Sequence, residues 1–176
     1  MKIVCIAGSI SNVGKTTFAE RLLSRLPGWA ACKVTVCAEG KNHRCPRGKN
    51  DCGVCASLEG NYLIEERDAV IRQEGKDTFR YSQAGASKVI WVKTRYEYLK
   101  ESVERAQRKL TSVPGIVFEG NHALEVIEPD VAVMLLSDPP RYKASATSVL
   151  HKIMLTGEAS DSTLLEKTLE LLEKTQ

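Results

Sequence analysis

The stretch GSISNVGKTT, residues 8–17, decides how the rest of the chain is read. It follows the apolar run IVCIA (residues 3–7) and precedes FAERLLSRL (residues 18–26). An unbroken apolar run of that length fits a short buried strand, whereas the apolar positions of residues 16–26 recur at helical spacing. The loop between them therefore ends at a helix N-terminus, where backbone N–H groups lack intrahelical partners and present themselves to an anion. In the pattern G-x-x-x-x-G-K-[ST] the first glycine falls on Ser9, with Gly8 one residue earlier, so the loop is expected to be shifted or slightly widened. Gly8, Ser9, Asn12, Val13, Gly14, Lys15, Thr16 and Thr17 then form a phosphate-binding cradle. Gly14 lets the backbone approach a phosphate, Lys15 supplies a point charge to the β- and γ-phosphates, and the Thr16 hydroxyl is placed to reach Mg²⁺.

Composition sets limits that agree with this. A chain of 176 residues with 43% hydrophobic content buries one sizeable core, so a single domain over residues 1–176 is the default. A net charge of +3 without a long basic block argues against nucleic acid or a membrane surface as partner, and a local anion site needs no global positive charge. The apolar start is too short to span a bilayer and runs straight into the loop, so it is neither a signal peptide nor a membrane helix, and a cytoplasmic protein is expected. In a reducing compartment the six cysteines then point to core residues or metal ligands rather than disulfides.

Along the chain, strand-like runs at residues 3–7, 32–38, 88–92, 115–118 and 131–136 alternate with helical patterns at 16–26, 62–72, 78–84, 97–110, 144–154 and 162–174. The order predicts an α/β fold: a mostly parallel sheet with helices on both faces, of the P-loop NTPase type, interrupted by a Cys-rich insertion at residues 40–60. Ligands of such sheets bind beyond the carboxyl ends of the strands. GIVFEGN (residues 115–121) brings a second element to that edge, because its strand ends on Glu119. A nucleotide-bound Mg²⁺ takes oxygen ligands from one or two carboxylates besides phosphates and water, and Glu119 fits that role beside Thr16.

Together, this loop, GKNH (residues 40–43), GKDTFRYSQAGA (residues 75–86) and VFEG (residues 117–120) resemble the molybdopterin-guanine dinucleotide biosynthesis protein B family of P-loop NTPases. The resemblance covers roughly the first two-thirds of the chain, and residues 75–86 are its most specific part. The loop spacing and the Glu-Gly strand end are also similar to dethiobiotin synthetase and related ATP-dependent ligases. The first resemblance implies a dimeric GTP-binding protein with slow hydrolysis that assists attachment of a nucleotide to molybdopterin, with a pterin-type or phosphorylated substrate and a partner enzyme of cofactor biosynthesis. It implies phosphate and Mg²⁺ at Lys15 and Thr16, the metal-side carboxylate at Glu119, and Asp77 near the active edge. The chain departs from the family where Asn42 separates Lys41 from His43, where the interval from Lys41 to Gly75 is longer, and after Leu136. Without an [NT]-K-x-D string the base stays open between GTP and ATP.

Asp77 admits two compatible readings, an N-cap of the helix that follows and a carboxylate that positions water or metal, which makes it a catalytic candidate with Lys15 and Glu119. Lys76 and Arg80 either meet a phosphorylated substrate or are solvated. The insertion holds Cys45, Cys52 and Cys55 in C-x6-C-x2-C spacing, with His43 two residues before the first. A two-residue spacer lets both thiolates of a C-x-x-C pair reach one tetrahedral ion, so His43, Cys45, Cys52 and Cys55 form a candidate zinc site with Cys37 as the substitute ligand. An iron–sulfur cluster, a redox-active pair and unligated thiols are the other readings of the same residues. Cys5 and Cys32 sit in apolar runs and read as core.

After the last apolar strand, SDPPRYKASA (residues 137–146) puts Asp138, Arg141 and Lys143 at the ligand edge, either as a frame for a base or anion or as a Pro-Pro turn leading into a helix. The Leu stripe of residues 162–174 is expected to cover the sheet, with any exposed part a dimer surface. The resulting expectation is a Mg²⁺-dependent GTP- or ATP-binding protein of the resembled family. An ATP-dependent small-molecule ligase or kinase and a nucleotide-dependent metallochaperone or regulator are the alternatives.

Overall fold

Val4, Cys5, Ile6 and Ala7 are fully buried, which a strand permits only where both faces of its sheet are covered. The computed structural model describes residues 1–37 and 58–175. Its strands are β1 (Lys2–Gly8), β2 (Ala30–Val36), β3 (Tyr62–Glu65), β4 (Val89–Thr94), β5 (Gly115–Glu119), β6 (Val131–Leu135) and β7 (Leu155–Gly157). They form one seven-stranded sheet in the order β3-β4-β2-β5-β1-β6-β7, antiparallel between β3 and β4 and parallel elsewhere. The helices are α1 (Lys15–Leu23), α2 (Asp68–Ile71), α3 (Asp77–Gln83), α4 (Leu99–Arg108), α5 (Asn121–Val126), α6 (Ala144–Thr147) and α7 (Ser162–Lys174). The architecture is therefore the expected α/β class, a mostly parallel sheet between helical layers.

Each layer follows from alternation along the strands. Cys5, Cys32, Ile90, Ile116 and Phe118 face one side and pack with Val103 and Ala106 of α4, Leu124 of α5 and Ala146 of α6. Val4, Ile6, Ala31, Val117 and Val133 face the other and pack with Phe18 and Leu22 of α1, Tyr81 of α3, and Leu164 and Leu172 of α7. The Leu stripe of α7 thus covers the sheet, and its start is fixed by Asp161, whose side chain accepts from the Thr163 N–H at 2.8 Å. Cys5 and Cys32 are core residues, and burial pushes both thiols far above the ordinary range. No helix among the described residues is long and apolar enough to cross a membrane.

Two expected helices differ. Residues 62–72 hold β3 and then the single turn α2, because Tyr62 to Glu65 pair with Thr94 to Trp91 of β4, and a partner strand overrides local helical spacing. Residues 144–154 give α6 and a 3-10 turn, after which Leu155 to Gly157 join β6. The short helix α5 after Gly120 was not anticipated.

Candidate functional site

β1 lies between β5 and β6, so its end brings the loop of residues 9–14 to the middle of the sheet's carboxyl edge. Ser9, at the place of the pattern's first glycine, is completely buried and uses all its polar groups. Its N–H donates to Leu135 O at 2.8 Å, its carbonyl accepts from the Lys143 N–H at 2.8 Å, and its Oγ accepts from the Ser137 N–H at 3.0 Å. Glycine has no atom for the last bond. Gly8 is clamped by Asn121, whose Oδ1 accepts from the Gly8 N–H at 2.9 Å while its Nδ2 donates to Gly8 O at 3.0 Å. Gly14 has φ 91°, and a Cβ there would lie 2.4 Å from the Ala159 Cβ, so backbone and space both require glycine. The first helical bond runs from Phe18 N–H to Gly14 O at 2.9 Å. The N–H groups of Ser11, Asn12, Val13, Gly14, Thr16 and Thr17 have no hydrogen bond within the described residues. That is a cradle of orphan donors at a helix N-terminus, the arrangement an anion satisfies.

In the next row, register pairs Glu119 with Ile6 of β1 on one side and Lys33 of β2 on the other. Glu119 is 7% exposed and Lys33 8%. Lys15 Nζ stands 3.9 Å from Glu119 Oε1, and Lys33 Nζ stands 3.6 Å from Oε2 and pairs with Asp77 as well. The Tyr81 hydroxyl donates to Glu119 Oε2 and also shares a hydrogen bond with the Thr16 side chain. Burial first, and then the Glu119 charge, push the Tyr81 phenol well above its ordinary pKa, so it stays a proton donor. Two lysines and a phenol therefore converge on one buried carboxylate, which keeps its charge from being stranded.

Of the two readings the sequence allowed for Asp77, the N-cap is not the one its position gives. Lys76 occupies the cap position of α3, and Asp77 sits in the first turn, where a negative charge favours the helix dipole while the carboxylate pairs with Lys33. Arg80 ties α3 to α1, donating to Glu20 Oε1 at 2.8 Å and to Thr17 Oγ1 at 3.1 Å. The Thr78 hydroxyl is buried with no partner among the described residues. Trp91 is held by its Nε1 donating to Thr35 Oγ1 at 3.0 Å and by Lys93, whose ammonium lies 4.1 Å over the ring.

These groups line one cleft of about 930 Å³ that runs from Asn12, Gly14 and Thr16 past Lys15, Glu119 and Lys143 to Lys33, Asp77 and Trp91. Small-molecule sites occupy roughly 300–1,000 Å³. The structure thus brings Lys15, Thr16, Asp77 and Glu119 together. Of the loop residues, Gly8 and Ser9 act as anchors, and Asn12 takes a left-handed φ of 61°. Sequence reading passed over Lys33, Tyr81 and Asn121. The signal for Lys33 was a lysine inside the apolar run AACKVTV, where a buried charge calls for opposite charges beside it.

His43, Cys45, Cys52 and Cys55 lie outside the described residues, and among those described no cluster of three or more His, Cys, Asp or Glu side chains forms a metal site. Cys37, the substitute ligand, is buried at the end of β2, its N–H donating to Thr94 O at 2.8 Å. Comparison with protein-family models, curated proteins and solved structures returned no match to this chain.

Proposed function

We propose that the chain is a P-loop nucleotide-binding protein that holds GTP or ATP with Mg²⁺ on the loop of residues 8–17 and hydrolyses it slowly. The observation that carries this is the convergence of orphan loop N–H groups, Lys15, Thr16 and Glu119 at one edge of the sheet. The donor set fits the ligand, since N–H groups and ammoniums match phosphates, and the Thr16 hydroxyl and Glu119 carboxylate are the hard oxygens that Mg²⁺ takes. Mg²⁺, held by Thr16 and Glu119, would supply neutralisation of the phosphate charge. The chain's own residues do the rest. Lys15 binds the terminal phosphates, Gly14 allows their close approach, Tyr81 orients Glu119, and Asn121 keeps the loop joined to β1 through Gly8. Asp77, carried on α3, is placed to orient a water or an acceptor beside the terminal phosphate. The resemblance to the molybdopterin-guanine dinucleotide biosynthesis protein B family supports a role beside a cofactor-building enzyme, acting as a homodimer on a pterin-type or phosphorylated substrate.

A second reading, an ATP-dependent ligase or kinase of the dethiobiotin synthetase type, is favoured by the extension of the cleft beyond Glu119 to Lys33, Asp77 and Trp91. Turnover stimulated by a small acceptor separates it from the first. In either reading zinc is proposed as the ion for His43, Cys45, Cys52 and Cys55, which lie outside the described residues. About one equivalent of zinc per chain in anaerobically purified protein supports that site. Iron with sulfide replaces zinc by a cluster, and no metal removes the site.

Thermal melting tests nucleotide binding directly. At about one hundred times Kd a ligand adds about 2.7 kcal/mol, so Mg²⁺ with GTP or ATP should raise the Tm by roughly 5–10 °C. An unchanged Tm at millimolar concentrations of both nucleotides would count against the proposal.

A further inference from the structure

We propose that Lys143 is a second phosphate-binding cation of this site, so that the cleft selects a nucleoside triphosphate over the corresponding monophosphate. This rests on the nucleotide reading above. Lys143 lies beyond β6, far in sequence from the loop, yet its N–H donates to Ser9 O at 2.8 Å, which fixes its Cα to the loop's first residue. It is the N-cap residue of α6, and Ser145 in the same helix accepts from Asn121 Nδ2 at 3.5 Å, so α6 is joined to the clamp on Gly8. From this position the side chain lines the cleft together with Lys15 and Glu119.

Among the described residues, the carboxylates that line this cleft, Glu119 and Asp77, are not paired with Lys143. Among the described residues the Lys143 ammonium makes no hydrogen bond or salt bridge, although the residue is partly buried. Burial and then the positive charge of Lys15 lower its pKa, and Glu119 opposes them. Glu119 is already met by Lys15, Lys33 and the Tyr81 hydroxyl. Two ammoniums that face one space repel each other unless a polyanion lies between them. Lys15 is the group that reaches the terminal phosphates in a loop of this spacing, so the anion shared by Lys15 and Lys143 is the outer end of a triphosphate. The α-phosphate would be held by loop N–H groups rather than by that pair.

Calorimetric titration with ATP, ADP and AMP, and with GTP, GDP and GMP, in Mg²⁺ tests this on the wild type, Lys143→Met and Lys143→Arg. The anchor of Lys143 to Ser9 is a backbone bond, so both variants keep it, and matching melting curves verify the fold. Loss of a charge-assisted contact should weaken triphosphate binding about tenfold or more in Lys143→Met, while monophosphate affinity stays within about twofold and Lys143→Arg retains most of the triphosphate affinity. Unchanged triphosphate affinity in Lys143→Met overturns the assignment. An equal loss for mono- and triphosphates overturns it too, since that result belongs to a base or loop contact. If the wild type binds none of the six nucleotides, the nucleotide reading fails before any variant is compared, and this inference falls with it.

Discussion

Glu119 is one carboxylate with three donors around it, and the donor that decides its orientation is the one that carries no charge. Lys15 stands beside Oε1 and Lys33 beside Oε2, whereas the Tyr81 hydroxyl bonds Oε2 and also touches Thr16, the other group proposed to hold Mg²⁺. Tyr81→Phe keeps the buried ring and removes only that link. The variant should melt close to the wild type yet need severalfold more Mg²⁺ for half-maximal nucleotide binding, an effect that a purely structural tyrosine would not produce. An unchanged Mg²⁺ requirement would take Tyr81 out of the site. Glu119→Gln acts one step closer to the chemistry. It should slow single-turnover hydrolysis on the order of a hundredfold while changing nucleotide affinity much less, because charge develops on the transferred phosphoryl group only during reaction. Equal hydrolysis rates in variant and wild type would remove Glu119 from the mechanism.

The edge strand β3 pairs with β4 and packs Ile64 on the core, and it ends on a buried charge. Glu65 is 2% exposed and accepts from the Arg67 N–H at 3.0 Å and Nε at 2.8 Å. The Arg67 hydrogen bonds lower its pKa from 4.5 to about 2, against the opposing effect of burial. The unfolded chain thus binds more protons than the native one between those values. The stabilisation from Glu65 is present in full above about pH 4.5 and is lost as pH falls towards 2. With Arg67 in solvent, screening makes the stabilisation from Glu65 smaller than the shift alone implies. Glu65→Gln should therefore lower stability at pH 7 and flatten the fall of stability in acid, as denaturant melts at pH 7, 4 and 2.5 would reveal. An unflattened acid profile would detach Glu65 from it. The same strand marks the limit of sequence reading. Residues 3–7, 115–118 and 131–136 were legible because central parallel strands are apolar throughout. β3 and β7 were not, since YLIE and LTG become strands through pairing with β4 and β6, which local spacing does not encode. The site divides the same way. Lys15, Thr16 and Glu119 stand in contiguous strings, whereas Lys33, Tyr81 and Asn121 acquire their places only when β2, β5 and α3 come together.

At the scale of the molecule, the strand order sets β1 beside β5 and β6, so residues from every third of the chain meet at one edge: the loop after β1, Lys33 and Asp77, Glu119 and Lys143. The hydrophobic cores lie on either side of the sheet and include none of these charges. Binding and folding should therefore be separable, and Lys15 is the residue on which to separate them. Isothermal calorimetry of Mg²⁺ with GTP and with ATP, on the wild type and on Lys15→Ala of matching melting temperature, is the direct measurement. The account predicts saturable binding of at least one nucleotide by the wild type and its loss in Lys15→Ala. Absence of binding by the wild type, or equal affinity in a folded Lys15→Ala, would contradict it.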